Sequence, residues 1–304
     1  MKVRQSAYIV IIALILGLTI LPGCRLAQSP YEEQIAEWRA QRYARLVRPM
    51  GWVSLAGLYE IEPGTQAFGS SEAYSIRFPA GSPQKLGDIL LDSSGVTLTV
   101  DAGHDVRTED QAVFRSGMID PDDPQVLHWH ALYWTFLTRG EKYYLRLWDT
   151  LSPARLNFPM IAAFPTDSTW RTNAQFRRAP DGQMIDLPDV LGNIRKQVVT
   201  GSLSGQVRGH SFELLALDEG DGSLFVIFED ATTDLQTYPA GRYLVVDIPE
   251  AGQDEVVIDF NRAYNPPCAY TAYATCLLAP PQNRLGFAVT AGEQYRHEEL
   301  SKHH

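Results

Sequence analysis

Polar and charged side chains gather at the ends of short apolar segments in the C-terminal third of the sequence. Asp230 and Asp259 each end an apolar run, and Arg242 opens another. If these runs are neighbouring strands, an arginine meets carboxylates and amides at one place, a combination that binds anionic or hydroxyl-rich ligands. The predicted ligand-binding residues are Asp230, Tyr238, Arg242, Asp259, Asn261 and Asn265.

The same side chains suit other roles. An arginine between two aspartates is also a common structural device, and a buried hydrogen-bond network would hold the segment 261–284 in place. A hydrolase in which Asp230 and Asp259 activate a bound water is a second alternative, because paired carboxylates perform acid–base chemistry. A purely structural interaction protein is the third. The sequence specifies no catalytic residue and no cofactor.

The segment 261–284 has the composition neither of a regular helix or strand nor of a disordered linker. Two Pro-Pro pairs interrupt any regular element, yet its tyrosines and alanines make it too apolar for a disordered linker. We therefore predict a folded loop that covers the polar cluster. Within it, Cys268 and Cys276 are eight residues apart. In an exported chain this spacing favours a disulfide that stabilises by about 2–3 kcal/mol, with two free buried thiols as the alternative.

Histidines offer a weaker indication of a metal. His128 and His130 flank Trp129, and strand alternation would place both imidazoles on one face. A zinc site needs at least a third ligand, and the cysteine spacing is not that of a zinc motif. We predict no metal site and interpret the two histidines as half-exposed strand residues.

The N-terminus has the pattern of an export signal. Lys2 and Arg4 are the only charges before Cys24, and the apolar run 7–20 is short for a membrane-spanning helix. The sequence Leu-Pro-Gly-Cys at 21–24 resembles the bacterial lipobox. This resemblance implies cleavage of a signal peptide, residues 1–23, and lipidation of Cys24. We predict a lipid-anchored protein of the cell envelope that faces the periplasm or the exterior, at the outer membrane in a diderm organism.

A lipidated tether and an amphipathic helix are predicted over residues 24–50. Ser29, Pro30 and Glu32 form a helix-start signature, with a cap, a proline at the first helical position and a capping-box glutamate. Trp38 and two aliphatic residues fall near one face of a helix over 30–48, which favours packing against the rest of the protein over binding a partner.

After Gly51 the sequence changes to short runs rich in β-branched and aromatic residues, separated by Gly, Pro and Asp. These runs predict strands over 52–60, 74–78, 88–92, 96–101, 111–116, 126–138, 142–149, 198–203, 211–217, 224–229, 242–248 and 255–260. The fold class is mainly β, with antiparallel sandwich or barrel-like sheets. A change of pattern near 176–190 divides them into two closely packed halves, 51–180 and 181–300.

The amino-acid composition excludes a disordered, a collagen-like and a polytopic membrane protein. The chain has 304 residues, of which 45% are hydrophobic and 20% charged, as in an ordinary globular protein. Its formal net charge of −10 makes nucleic acid an unfavourable partner. The predicted partners are the membrane, through the lipid on Cys24, and a small-molecule or glycan ligand.

Several segments resemble a known family. Residues 228–232 (FEDAT), 237–244 (TYPAGRYL) and 259–268 (DFNRAYNPPC) resemble the C-terminal signature of the domain-of-unknown-function 1684 (DUF1684) family. Residues 51–58 and 68–70 resemble its N-terminal signature, so that the resemblance extends over about 35–296. It implies a family without implying a reaction, a ligand or catalytic residues.

Overall fold

The structure is a computed structural model that describes residues 29–220, 222–250 and 252–296. The predicted signal peptide, the predicted lipidation site Cys24 and most of the predicted tether lie outside the described residues. Among those that are described, no helix has both the length and the apolarity needed to cross a membrane.

The predicted N-terminal helix is present as α1, Pro30–Leu46. Its capping box forms as expected, because the Ser29 hydroxyl accepts from the Glu32 N–H and the Glu32 carboxylate accepts from the Ser29 N–H at 2.7 Å. Ile35 and Leu46 are fully buried, so α1 packs firmly on the rest of the protein.

Ten strands follow. They are β1 Leu55–Ile61, β2 Gly64–Gly69, β3 Ile76–Arg77, β4 Gly87–Asp92, β5 Gly95–Val100, β6 Arg107–Thr108, β7 Ser116–Ile119, β8 Leu127–Trp129, β9 Leu132–Arg139 and β10 Lys142–Asp149. They form two five-stranded sheets, ordered β1-β10-β9-β8-β6 and β3-β2-β4-β5-β7. The inward side chains of both sheets share one core, in which Phe68, Phe78 and Trp134 contact one another.

A short helix, α2 Pro153–Leu156, leads to the second half. Its strands are β11 Arg171–Arg178, β12 Met184–Pro188, β13 Ile194–Val207, β14 His210–Leu217, β15 Ser223–Phe228, β16 Arg242–Asp247 and β17 Glu255–Asp259. The seven-stranded sheet runs β16-β15-β14-β13-β11-β17, with β12 paired to β13. The two end strands β16 and β17 also contact each other, so the sheet nearly closes into a barrel.

Both faces of strand β15 are covered. Val226 and Phe228 point into the barrel core, whereas Phe225 and Ile227 pack under the apolar residues of the 261–284 segment. A strand that is buried on both faces needs a continuous apolar run, and this accounts for the sequence Leu-Phe-Val-Ile-Phe at 224–228. Short 3-10 helices occur at Ser168–Trp170, Phe260–Arg262, Pro267–Ala269 and Pro281–Asn283.

The structure confirms a mainly β fold with antiparallel sheets, one barrel-like sheet and one N-terminal helix. A hairpin turn joins the predicted strands 126–138 and 142–149, with Arg139 paired to Lys142 and Gly140 at φ 60°. The sheets change between 150 and 170, earlier than the predicted 176–190, because β11 already pairs with β13 and β17. Strand β11 was not predicted from the sequence because Ala174 and Phe176 are its only buried residues.

Candidate functional site

The first pair of predicted site residues forms a buried ion pair. Arg242 Nη2 lies 2.7 Å from Asp230 Oδ2, and the side chains are 1% and 0% exposed. The pair follows from the β15–β16 hairpin, in which Phe228 is paired with Arg242. Gly241 permits the close approach, since at φ 81° a Cβ would lie 2.6 Å from the Phe228 carbonyl oxygen.

Both members of this pair also bind one backbone segment. The Arg242 guanidinium donates to the carbonyl oxygens of Val289, Ala291 and Glu293. Asp230 Oδ1 accepts from the Val289 N–H at 3.1 Å. The ion pair therefore holds the segment 289–293 against the barrel and has no opening to solvent.

Asp259 and Asn261 belong to a different network. Tyr31, in the first turn of α1, donates its hydroxyl to Asp259 Oδ1 at 2.8 Å, and Asn261 Nδ2 donates to the Tyr31 hydroxyl at 2.9 Å. Burial and the Asp259 carboxylate together raise the pKa of Tyr31. This network attaches the start of α1 to the end of β17.

Asn265 lies in a third network, centred on Glu293. The Glu293 carboxylate accepts from the Asn265 N–H at 2.7 Å and from the Tyr270 hydroxyl at 2.8 Å. Arg42 of α1 lies 3.4 Å from the same carboxylate and donates to the Asn265 carbonyl oxygen at 2.9 Å. Burial raises the pKa of Tyr270 well above its ordinary value, so the phenol stays a donor.

Tyr238 is separate again. Its hydroxyl donates to the Cys268 carbonyl oxygen at 3.0 Å, and its ring packs edge-on against Tyr295. The six predicted residues thus occupy several buried networks, with direct side-chain bonds only in the Asp230–Arg242 and Asp259–Asn261 pairs. Among the described residues they hold the 261–296 region in place and do not form a single open site.

The structure does not show the predicted disulfide, and Cys268 and Cys276 are free thiols in it. The two residues are neighbours, and the Cys268 N–H donates to Cys276 Sγ at 3.1 Å. Hydrogen bonds supply the constraint that a bridge was expected to give. Tyr243 donates its hydroxyl to the Leu277 carbonyl oxygen, and the backbone of Val190 donates to that of Cys276.

The two histidines do not lie on one strand face as the spacing predicted. His128 stacks on Tyr133 with ring centroids 5.0 Å apart, whereas His130 lies after the end of β8 at φ 52°. The strand ends at Trp129, so alternation does not extend to His130. Within the described residues no three His, Cys, Asp or Glu side chains are grouped as metal ligands would be.

An open cleft of about 460 Å³ lies beside the buried networks, between α1 and the face of β15 and β16. It is lined by Trp38, Arg42, Arg45, Trp52, Glu219, Phe225, Tyr243, Val245, Asp247, Arg262, Tyr264 and Pro267. Its volume falls in the range of small-molecule sites.

Tyr264 contributes an aromatic ring to the lining of this cleft. It is held by two backbone hydrogen bonds to Tyr243, of 2.8 and 2.9 Å. The Arg42 guanidinium lies 4.5 Å from its ring centroid, and the Trp38 ring is 6.5 Å away. Burial raises the pKa of Tyr264 to about 12. The cleft therefore combines a fixed aromatic surface with guanidinium groups.

The charges around the cleft are mixed. Arg42 is paired with Glu293, and Arg262 lies 3.9 Å from Asp259. Arg45 adds positive charge to the lining, and Glu219 and Asp247 add negative charge. Charged donors and acceptors beside aromatic faces can bind a polar ring that carries hydroxyl or acidic groups.

The sequence pattern of α1 favoured packing against the rest of the protein, and none of its residues was among the predicted site residues. A signal was nevertheless present, because Trp38, Arg42 and Arg45 have the spacing i, i+4 and i+7 that places side chains on one helix face. The sequence did not show that this helix face lies opposite strands β15 and β16.

Comparisons with known proteins concern mainly the second half of the chain. No curated protein matches it. The solution NMR structure of an uncharacterized protein of Haloarcula marismortui is 32% identical over 47% of this chain and 80% of that one, with a TM-score of 0.39. Residues 156–294 match the model of the family described as "Protein of unknown function (DUF1684)". The matched region begins after the N-terminal segments 51–58 and 68–70. Residues 156–294 of this chain belong to the DUF1684 family.

Proposed function

We propose that the protein binds a small polar or anionic ligand, such as a fragment of an envelope glycan, in the cleft between α1 and the β15–β16 face. The observation that carries this proposal is the lining of the cleft, where Trp38, Tyr264 and Arg45 surround an open volume of about 460 Å³. Aromatic faces bury the apolar side of a sugar-like ring, and the guanidinium groups bind its hydroxyl or acidic groups.

Binding is favoured over hydrolysis by the positions of the two candidate carboxylates. Asp230 and Asp259 do not line the cleft. Asp230 is paired with Arg242, and Asp259 accepts from Tyr31. A general base must reach the proton it removes, or reach it through one water, and these carboxylates are already bonded to protein groups.

Trp38→Ala tests the cleft. A thermal-shift screen of the purified mature protein against neutral sugars, uronic acids and sugar phosphates identifies a probe, and calorimetry then measures its Kd. We expect the substitution to weaken binding of that probe about 10-fold, because a stacking contact contributes on the order of 1.4 kcal/mol.

Trp129→Ala is the matched control, since Trp129 is half-buried and lies outside the cleft. It is expected to leave the Kd unchanged. A screen without any hit, or a Trp38→Ala protein that binds the probe as tightly as the wild type, would contradict the proposal. Analysis of the recovered probe by mass spectrometry separates binding from turnover.

We further propose that a lipid on Cys24 holds the protein at the cell envelope, as the sequence of residues 1–24 predicts. Cys24→Ser is expected to release a soluble form or to leave an uncleaved precursor. Membrane fractionation and intact-mass measurement distinguish the two forms. Cys268→Ser is the control and is expected to stay with the membrane. A correctly cleaved Cys24→Ser protein that still sediments with membranes would disprove the anchor.

A further inference from the structure

A second, smaller pocket of about 110 Å³ contains an arginine that forms no ion pair with any of the described residues. Arg146 lines it together with Arg48, Met50, Gly51, Trp52, Leu55 and Trp148. Trp52 also lines the larger cleft, so the two openings share one wall. None of the residues predicted from the sequence to form a site belongs to this pocket.

Two tryptophan rings flank the Arg146 guanidinium. Its central carbon lies 5.6 Å from the centroid of the Trp52 ring and 5.9 Å from that of Trp148. The strand explains part of this arrangement, because Arg146 and Trp148 are two apart on β10 and point to the same face. Contact with indole faces stabilises the cation but supplies no hydrogen-bond acceptor.

Arg146 has no acidic partner among the described residues. Its Nε is buried and makes no hydrogen bond, and no ion pair or hydrogen bond involves its guanidinium in the described part of the chain. The charged neighbour that acts on it is another cation, Arg139, and burial is the main reason that its pKa falls to about 10.

The half-buried Arg39 and Arg139 also lack an ion pair with a described residue, but Arg39 donates to the Phe164 carbonyl oxygen and Arg139 to the Thr275 hydroxyl. The two most buried arginines have acidic partners. Arg242 is paired with Asp230, and Arg42 with Glu293. A cation that is partly removed from water without a counter-charge is unfavourable, and an external anion would relieve this. Arg48 is exposed on the rim of the same pocket and adds a second positive charge.

We propose that Arg146 anchors an oxyanion subsite that takes one phosphate or carboxylate group between Trp52 and Trp148. A guanidinium donates several N–H groups in one plane and matches the geometry of either anion. This inference does not depend on the ligand of the larger cleft, although a molecule long enough to pass Trp52 would reach both.

The experiment compares the wild-type mature protein with Arg146→Gln in phosphate-free buffer, in phosphate and in acetate, at matched ionic strength. At an anion concentration of ten times Kd, binding multiplies the folded-to-unfolded ratio of the wild type about 11-fold. The Tm of the wild type should therefore rise in a saturable way, and that rise should disappear in Arg146→Gln. Phosphate also stabilises proteins by exclusion from their surfaces, so the difference between the two proteins is the measure.

Arg178→Gln is the matched control. Arg178 also lies over an aromatic ring, at 5.5 Å from the centroid of Phe176, but it is exposed and outside the pocket. It should keep the full anion response. In anion-free buffer Arg146→Gln should be at least as stable as the wild type, because it removes an unpaired charge. A merely structural arginine would instead leave the variant less stable there and the anion response intact.

Tryptophan fluorescence gives an independent measurement, since Trp52 and Trp148 flank the anion. A saturable change in fluorescence on titration with phosphate or acetate supports the subsite. The titration that produces the change identifies which of the two anions is bound. Arg146→Lys keeps the charge and is expected to raise the Kd about 10-fold. Absence of a saturable response to both anions in the wild type, or an equal response in Arg146→Gln, would overturn the proposal. Trp38→Ala should leave this response unchanged. A failure of the ligand-binding proposal for the larger cleft can therefore be distinguished from a failure of the anion subsite.

Discussion

Replacing Arg242 with alanine is expected to lower the free energy of unfolding by about 3–5 kcal/mol. The substitution leaves the Asp230 carboxylate, whose side chain is 0% exposed, without its cation. It also removes the donor to the carbonyl oxygens of Val289 and Ala291. A buried charge without a partner is among the few mechanisms that produce losses of this size. Urea unfolding followed by circular dichroism measures the effect.

Arg284→Ala is the matched control for this experiment. Arg284 lies 3.0 Å from Glu229, but its side chain is 63% exposed. An exposed ion pair contributes at most about 1 kcal/mol, so its loss should be small. A loss for Arg242→Ala below about 1.5 kcal/mol would mean that the pair is solvated, and would return Asp230 and Arg242 to the list of candidate ligand-binding residues.

Replacing Glu293 with alanine is expected to have an effect of similar size, about 3–5 kcal/mol. Three groups lose their acceptor at once, which are the Asn265 N–H, the Tyr270 hydroxyl and the Arg42 guanidinium. All three belong to buried residues, so water does not replace the carboxylate without rearrangement.

This substitution also acts on the proposed cleft. Arg42 joins α1 to the second half of the chain, and its guanidinium lies over the Tyr264 ring. Loss of Glu293 should therefore loosen α1 and weaken binding of any ligand in the cleft. Glu213→Ala, at an exposed position on β14, is the control and should change stability by less than about 0.5 kcal/mol. Retention of full stability and ligand binding in Glu293→Ala would contradict the assigned role of the network.

Some elements of this protein could be predicted from short stretches of sequence. The start of α1 follows from Ser29, Pro30 and Glu32, whose capping interactions lie within one turn. The hairpin turn at 140–141 is equally local. Strand β15 was identifiable because a strand covered on both faces is apolar throughout, whereas β2 and β11 were not, because polar residues on exposed faces carry no such signal.

Among the polar contacts, too, some could be predicted from the sequence and others could not. The Asp230–Arg242 pair was predictable in outline because β15 and β16 are consecutive strands whose ends lie together. Glu293, Tyr31 and Arg42 were not identified, because they come from segments distant in the sequence and meet only when the chain folds. The prediction of one cluster failed because proximity to the same loop does not bring side chains into the same network.

The sequence by itself determined the mainly β class, the position of α1 and the set of polar residues that needed partners, because propensity, capping and alternation act over a few residues. Only the tertiary structure decided which of those residues are paired in buried ion pairs and which arginines have no acidic partner among the described residues. The reason is that burial and counter-charge are properties of packing between distant segments. Arg242 and Arg146 are both strand arginines in the sequence. Arg242 is paired with Asp230, whereas Arg146 lies over two tryptophan rings and has no acidic partner in the part of the chain that the structure describes.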